Sequence, residues 1–508
     1  MLINVHETNA KDDFYNPDIL DCIASLSSDE VATPPSRANE VLDLLPSEVW
    51  TNPDLKWLDP GCKTGVFLRE VAKRLYVGLD KVIVDDRSRA EHILLKMLHG
   101  AALTELTAQI SRRSLYASKL ANTKHSLVKF PSHEGNIRLI PSKHSFLANP
   151  KSTCLECHAP SGYRPTVRDE MGLENHAYSF IHQESQEWFR TMKFDVIIGN
   201  PPYQLGDGGG GSASPIYNYF VEQAIDLDPK YIAFIIPSRW FNTGKGLGAF
   251  RSRMLAEERI RKIVDFPSAS EVFPGPDIKG GVCYILWDKD YSGTCELTSI
   301  QAGNVVSKQN LKLGDYTVVI RSQIGVEILK KVSLQNEQTM EIFVSSQTPF
   351  GLLSNYQGSE KQTLKNSVKV YGRGGVTWAK SGEITRHPEW VNKWKVLTPK
   401  ASDGSGTPPL QVLSKSLLSE PGSVCSQTYL VAGVFDSKKE AEALVTFMST
   451  KFFRFMVSLR KTTQDVNPNS FGYVPNIASE KKWTDEALYA KYELTESEIE
   501  HIESYIKE

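Results

Sequence analysis

Apolar residues along this chain fall into two textures. Some form short unbroken runs, which read as strands buried on both faces. Others recur every three or four positions, which reads as helices with one buried face. The runs lie at Trp57-Leu58, His99 to Glu105, Glu134 to Ile140, Phe194 with Val196 to Ile198, Tyr231 to Ile236, Lys262 to Phe266 and Gly281 to Trp287. Helical spacing fills the intervals: Val66 to Leu75, Glu91 to Leu98, the stretch through Arg112, Arg113 and Tyr116, Ile216 to Ile225, and the basic segment Arg251 to Lys262. This alternation predicts an α/β fold with a doubly wound, mostly parallel, seven-stranded Rossmann-like sheet over residues 31–300.

Other textures flank that block. Residues 1–30 are polar and Asp-rich and read as an arm, and 301–334 as a connector. Across 335–480 strands are short and Gly, Ser and Pro frequent. Aromatics and cations interleave there, as in Tyr371 to Trp378 and Trp390 to Lys395, which suits a mixed α+β module that recognises a large, shaped partner. One helix is predicted over Lys438 to Leu459, and 481–508 reads as an acidic, helix-rich tail.

Composition alters this picture little. A length of 508 residues, 40% hydrophobic and 23% charged, is ordinary for a globular protein. No apolar run reaches a membrane span and the N-terminus lacks a signal pattern, so a cytoplasmic protein is expected. Seven scattered cysteines argue against a secreted disulfide framework. With a net charge of −2, any nucleic-acid surface must be local; Ser111 to Lys143 carries seven Lys/Arg against one Glu, and Pro237 to Ile263 seven against two.

The candidate chemistry centres on Lys193-Phe-Asp-Val-Ile-Ile-Gly-Asn-Pro-Pro-Tyr203, a buried strand running through a glycine into Asn200-Pro201-Pro202-Tyr203. Strand C-terminal ends are where open α/β sheets bind ligands. The prolines fix the direction of the Asn200 amide and the backbone beside it. An amine conjugated to a ring is a poor nucleophile. Two carbonyl oxygens accepting its hydrogens draw it towards sp³ geometry and free its lone pair, while Tyr203 offers a stacking face.

Four further features add candidates. Asp59-Pro60-Gly61-Cys62-Lys63-Thr64-Gly65 is a Gly-bearing strand-to-helix turn, read either as a cofactor site or as a plain connection. Glu105, an acid at the tip of the second strand, is suited to ribose hydroxyls, or is a solvated helix-start residue. Asn136 opens the third strand. Within 144–182, Cys154-x-x-Cys157 with flanking histidines offers a structural zinc set, His144, Cys154, Cys157 and His176, with His158 and His182 as substitutes; a reduced pair in a loop is the alternative. Four glycines after Asp207 read as a lid or a spacer.

Together, Thr33-Pro34, Asp59 to Phe67 and Asn200 to Tyr203 resemble the gamma-order adenine-N6 DNA methyltransferases of restriction-modification systems, the TaqI-like enzymes. The resemblance implies S-adenosylmethionine held by Thr33, Asp59, Pro60, Gly61, Gly65, Phe67, Glu105 and Asn136. It implies a flipped-out adenine held by Asn200, Pro201, Pro202 and Tyr203. Phe273, in Glu271-Val-Phe-Pro274, would stack on the base's other face; the alternative is a loop aromatic packed into the core. Residues 335–480 would be the target recognition domain, double-stranded DNA the partner, and a separate restriction endonuclease subunit a companion. Cys62, Lys63 and Asn136 depart from the family pattern. Rival readings are an RNA- or protein-glutamine N-methyltransferase, a non-catalytic DNA-binding restriction subunit, or a nuclease. The preferred reading requires Asn200 to lie within a side chain's reach of Asp59 and Gly61.

Overall fold

The computed structural model describes residues 31–147, 153–159, 178–182, 186–204, 214–242, 246–274, 278–362, 367–402, 408–461, 464–477 and 481–507. The expected arm at 1–30 and the four-glycine loop lie outside the described residues. The chain divides into two units. The first runs to Cys295, except that Arg239–Gly244 and Arg251–Glu257 group with the second, which continues from Glu296. Among the described residues no helix is long and apolar enough to cross a membrane.

The first unit is built on β1 (Trp57–Cys62), β2 (Leu98–Ala102), β3 (Ile137–Arg138), β4 (Val196–Gly199), β5 (Tyr231–Pro237), β6 (Ile260–Phe266) and β7 (Val282–Asp288). Their spatial order is β3-β2-β1-β4-β5-β7-β6, within a sheet of nine strands rather than the seven expected. The ladders joining β3, β2, β1, β4 and β5 are all parallel. Strand β7 inserts antiparallel between β5 and β6. Every residue of β1, β2, β4 and β7 is buried. This is why those segments read as unbroken apolar runs rather than as alternating ones.

Helices cover the sheet with one apolar stripe each. In α2 (Val66–Gly78) the buried residues include Phe67, Val71 and Leu75, at helical spacing. Helix α4 (Glu105–Tyr116) starts at a capping box in which Thr104 and Thr107 satisfy each other's backbone. Helix α1 (Pro35–Leu42) begins with a proline at its first position, where a missing N–H costs nothing. It is tied to α2 by Asn39 Nδ2 donating to Glu70 Oε2 (3.1 Å) and Arg74 donating to Asn39 Oδ1 (2.8 Å).

Some elements differ from the periodic reading. The helix expected through Leu98 is instead α3 (Asp86–His92) followed by a π-turn, Ile93–Met97, with Leu98 already in β2. The basic segment 251–262 stops being helical at Ala256, because β6 takes Ile260 to Phe266; Arg261 is accommodated there by an ion pair to Asp288 (3.0 Å). The strand expected to end at Glu105 ends at Ala102, which moves Glu105 into the first turn of α4.

The second unit carries two three-stranded sheets. One is formed by Ser367–Gly372, Gly375–Lys380 and Ser423–Cys425, the other by Trp394–Pro399, Leu417–Ser419 and Tyr429–Phe435. A core containing Phe350, Val370, Leu397, Val424 and Val431 joins them. The helix expected over 438–459 is two, Lys438–Ser449 and Lys451–Ser458. Thr450 between them is extended, and its hydroxyl caps the second by accepting from Phe453 N–H (3.2 Å). Residues expected as a connector hold the strand Asn304–Leu311 and the helix Gln323–Ser333. The terminal helices Asp485–Lys491 and Glu496–Tyr505 pack into this unit, with Tyr492 stacked on Phe452 and Tyr505 against Phe455.

Strand order turns at β1, whose chain continues to β2 on one side while β4 lies on the other. Parallel pairing of Trp57 with Val196 and Leu58 with Ile197 sets the C-terminal ends of β1 and β4 side by side. Gly199, at φ +146°, ends β4 against β1: a Cβ there would come 2.7 Å from Asp59 Oδ1. Gly199→Ala is therefore expected to destabilise the first unit by roughly 1–3 kcal/mol through backbone strain and steric overlap. Urea unfolding of the variant, with an unchanged midpoint, would refute this.

Candidate active site

Where β1 and β4 end, the two sequence motifs meet. A Cβ added to Gly61 would lie 3.5 Å from Pro201 Cα and from Pro202 Cδ, so the end of β1 rests directly on the turn after β4. Pro60, which has no N–H, sits where the β1 to β2 register shifts between Asp59 and Cys62. Gly65, at φ +75°, precedes α2 and approaches Ser111 of α4 so closely that a Cβ would come 3.0 Å from its Cα. Its lack of a side chain therefore serves helix packing. Phe67 is buried in the first turn of α2.

Asp59 is buried and accepts the Gly61 N–H (3.1 Å). Burial pushes its carboxyl up to about 7, opposed by the Gly61 N–H, Lys63 and Cys62. Burial likewise drives the Cys62 thiol far up. Cys62 Sγ donates to Ser111 Oγ (3.2 Å), whose own proton goes to the Lys63 carbonyl (3.1 Å), so Cys62 supports packing.

Asn200, only 4% exposed, lies beside them. Its Nδ2 donates to Thr33 Oγ1 (3.0 Å) and to the Val31 carbonyl (3.3 Å). A carbonyl can only accept, so this pair fixes the amide orientation: nitrogen towards residues 31–33, oxygen away. Among the described residues, neither Asn200 Oδ1 nor the Tyr203 hydroxyl completes a hydrogen bond; burial holds the Tyr203 phenol well above its usual range, partly offset by the nearby Asn200 amide. An unsatisfied buried acceptor costs about 1–3 kcal/mol. Such a group at a strand's C-terminal end is kept available for a donor.

Tyr203 and Phe273 come together, with ring centroids 6.4 Å apart and planes inclined by 66°. Both are buried. Tyr203 is held by the Ile216 N–H donating to its carbonyl (3.1 Å) and by the bridge between Gln204 and Pro215. On the other side, Arg37 donates to the Glu271 carbonyl (2.5 Å) and pairs with Glu40 (2.7 Å), which accepts from the Tyr284 hydroxyl (2.8 Å). Helix α1 thus braces the Phe273 segment.

Two expected residues have other partners in this structure. Glu105 is exposed on α4, accepting from Gln109 (3.1 Å). Asn136 donates both amide hydrogens to the Leu94 and Leu95 carbonyls (3.2 and 2.9 Å), ahead of β2, which closes the π-turn. A mostly apolar cavity lined by Tyr76, Leu94, Leu115 and Leu127 lies on the helices and includes none of the motif residues. His144, Cys154 and Cys157 cluster with His182, while His176 lies outside the described residues. The sequence reading missed the Val31 carbonyl, which no side-chain pattern could reveal. It also missed the brace from Arg37, Glu40 and Tyr284, which joins segments more than 200 residues apart.

The donor set fits a cationic nucleoside cofactor. A buried carboxylate that is costly to ionise alone, a glycine turn at a helix start and an orphaned acceptor are what such a group would satisfy.

Comparison with known proteins agrees. The Eco57I restriction-modification methylase family matches residues 96–273. Among solved structures, a nuclease-deletion mutant of the Type ISP restriction-modification enzyme LlaGI, in complex with a DNA substrate mimic, aligns over 86% of this chain and 45% of its own. It does so at TM-score 0.50 and 12% identity, which shows a shared fold. A DrdV–DNA complex aligns over 87% of this chain and 55% of its own, at TM-score 0.48 and 11% identity. The chain thus spans about half the length of these two structures. A Mycoplasma pneumoniae protein described as an uncharacterized adenine-specific methylase is 39% identical over 301 residues, 54% of this chain and 71% of that protein. With the parallel-rich sheet and the joined motifs, the family match and this relative, itself described as an adenine-specific methylase, make the chain a member of the Eco57I restriction-modification methylases.

Proposed function

We propose that this chain methylates N6 of an adenine rotated out of double-stranded DNA, using S-adenosylmethionine, as the modification component of a restriction-modification system. The observation that carries this is the orphaned Asn200 Oδ1, buried beside Asp59 and Gly61 with its orientation fixed by Val31 and Thr33. Asp59, Gly61, Gly65 and Phe67 would hold the cofactor, which supplies an activated sulfonium methyl group.

Asn200 Oδ1 and the Pro201 carbonyl accept the two hydrogens of the target amine, and its nitrogen gains lone-pair character. Pro202 keeps that backbone extended. Tyr203 stacks on the base, and Phe273 covers the other face once the two rings part. Thr33 acts here through the Asn200 amide, a positioning role distinct from the cofactor contact expected of it. No base is needed before attack, because the amine proton can leave after the new bond forms. In the second unit, a cleft lined by Arg373, Lys400, Gln427 and Tyr429, with Asp465 also in its wall, offers two cations to phosphates and polar groups to base edges. A separate chain would supply restriction.

Incubation with tritiated S-adenosylmethionine and unmethylated duplex DNA is expected to place label in N6-methyladenine. Label in RNA or protein instead would reject the reading. Asn200→Ala should lower turnover on the order of 100-fold or more, the scale of losing an oriented transition-state hydrogen bond, while cofactor affinity survives.

Thr33→Val should reduce turnover roughly tenfold, the scale of one hydrogen bond, with cofactor affinity unchanged. A weakened cofactor with normal turnover would return Thr33 to the cofactor pocket.

The Asp59 carboxyl is raised by folding, so its contribution to stability is complete below the unfolded pKa near 4 and declines as pH rises towards about 7. A cation facing it favours the ionised form. Cofactor affinity measured by calorimetry should therefore rise between about pH 5.5 and pH 7. Asp59→Asn should flatten that slope and raise the melting temperature of the free protein at alkaline pH. A slope that survives the substitution would assign the proton to another group.

A further inference from the structure

Between β3 and β4, four side chains that methyl transfer does not use converge on one point. Ligand atoms of His144, Cys154, Cys157 and His182 all lie within 4.8 Å of one another. Cys154 Sγ is 3.7 Å from His182 Nε2, and Cys157 Sγ is 3.3 Å from His144 Nδ1. With zinc–sulfur bonds of about 2.3 Å and zinc–nitrogen bonds of about 2.0 Å, the edges of a tetrahedral site measure about 3.3–3.8 Å. Both separations fall in that range.

The backbone is folded to present these atoms. Phe146 bridges Cys154 antiparallel and the Leu155 N–H donates to the Ser145 carbonyl (2.9 Å), which carries His144 up to the cysteine pair. The Cys154 N–H donates to the Ala159 carbonyl (2.7 Å), the His158 N–H returns to the Cys154 carbonyl (3.0 Å), and His158 turns the chain at φ +58°. Both cysteines and His182 are buried. His182 Nδ1 lies 2.8 Å from the Tyr178 carbonyl, which can only accept. The ring proton therefore sits on Nδ1, and the Nε2 lone pair faces Cys154. A backbone carbonyl fixing the tautomer in this way is the usual outer support of a metal-bound histidine. His158 points elsewhere, its ring 5.6 Å from that of Tyr219.

We propose that this chain holds a structural zinc ion on His144, Cys154, Cys157 and His182, with His182 in the place expected for His176. All four ligand positions are protein atoms, so the ion has no open position for substrate. Its role is to hold the insertion against the helix Tyr217–Asp226, which follows the catalytic turn. Phe180, two residues before His182, packs on Phe220 (5.6 Å) and Phe189 (5.1 Å), and His158 meets Tyr219. The inference stands independently of the methylation reading.

Untagged protein, grown with zinc and dialysed against metal-free buffer, is expected to retain one zinc per chain by plasma mass spectrometry. Cobalt exchanged into it should give the intense visible absorption of a tetrahedral site with two thiolates. Cys154→Ser and His182→Ala should each lose most of the metal and melt several degrees lower, whereas His158→Ala and His176→Ala keep it. Because a fold defect could mimic ligand loss, His182→Cys supplies the control: it should bind cobalt with a stronger thiolate charge-transfer band. Protein without zinc under these conditions, retention by His182→Ala, or loss from His176→Ala would each overturn the assignment.

Discussion

The parallel contact between β1 and β4 is the constraint on which the site depends. It is close because Gly199, which lacks a side chain, passes over the Asp59 carboxylate, while Gly61 lies in ordinary contact distance of Pro201 and Pro202. Two strands 139 residues apart, judged by the Lys56 N–H donating to Asp195 Oδ2, thereby become one surface. Any Cβ at Gly199 would push the turn that holds the acceptor away from the turn that holds the carboxylate. The fold's topology puts this contact where chain order turns about β1, the position at which open α/β sheets offer a crevice.

Around that contact the polar groups divide into satisfied and unsatisfied ones, and the division is informative. Asn200 Nδ2, Cys62 Sγ, Ser111 Oγ and the Asn136 amide hydrogens all have partners. Asn200 Oδ1 and the Tyr203 hydroxyl do not. Buried polar groups in native proteins are nearly always paired, so these two unpartnered atoms, close together in sequence, are what the proposed reading would have a ligand satisfy. Asp59 adds a carboxylate that burial disfavours in its charged form.

Much of this was legible from residue order. Buried strands declare themselves as unbroken apolar runs, and all seven runs became strands of the first unit, because residues packed on both faces have little freedom to be polar. The Asn-Pro-Pro-Tyr turn and the Gly-bearing turn were likewise visible, as local signals. Long-range pairing was not: nothing in Thr33 announces Asn200, and nothing in Arg37 announces the Glu271 carbonyl. Asn136 lies just before β3, and its amide serves the π-turn before β2, a feature that 3.6-residue periodicity does not encode. Thr450 misled for a similar reason, since an apolar pattern continues unbroken through a residue whose hydroxyl starts a new helix.

The Tyr203 and Phe273 rings meet edge to face, so each shields part of the other. Under the proposed stacking, a flat guest would have to turn one ring through most of a right angle before being enclosed, and its own area would then replace the surface each ring had covered on the other. A bicyclic base compensates for that more fully than a monocyclic one. Discrimination between the two sizes would then begin with this hinge of two rings, before any polar atom of the guest is read.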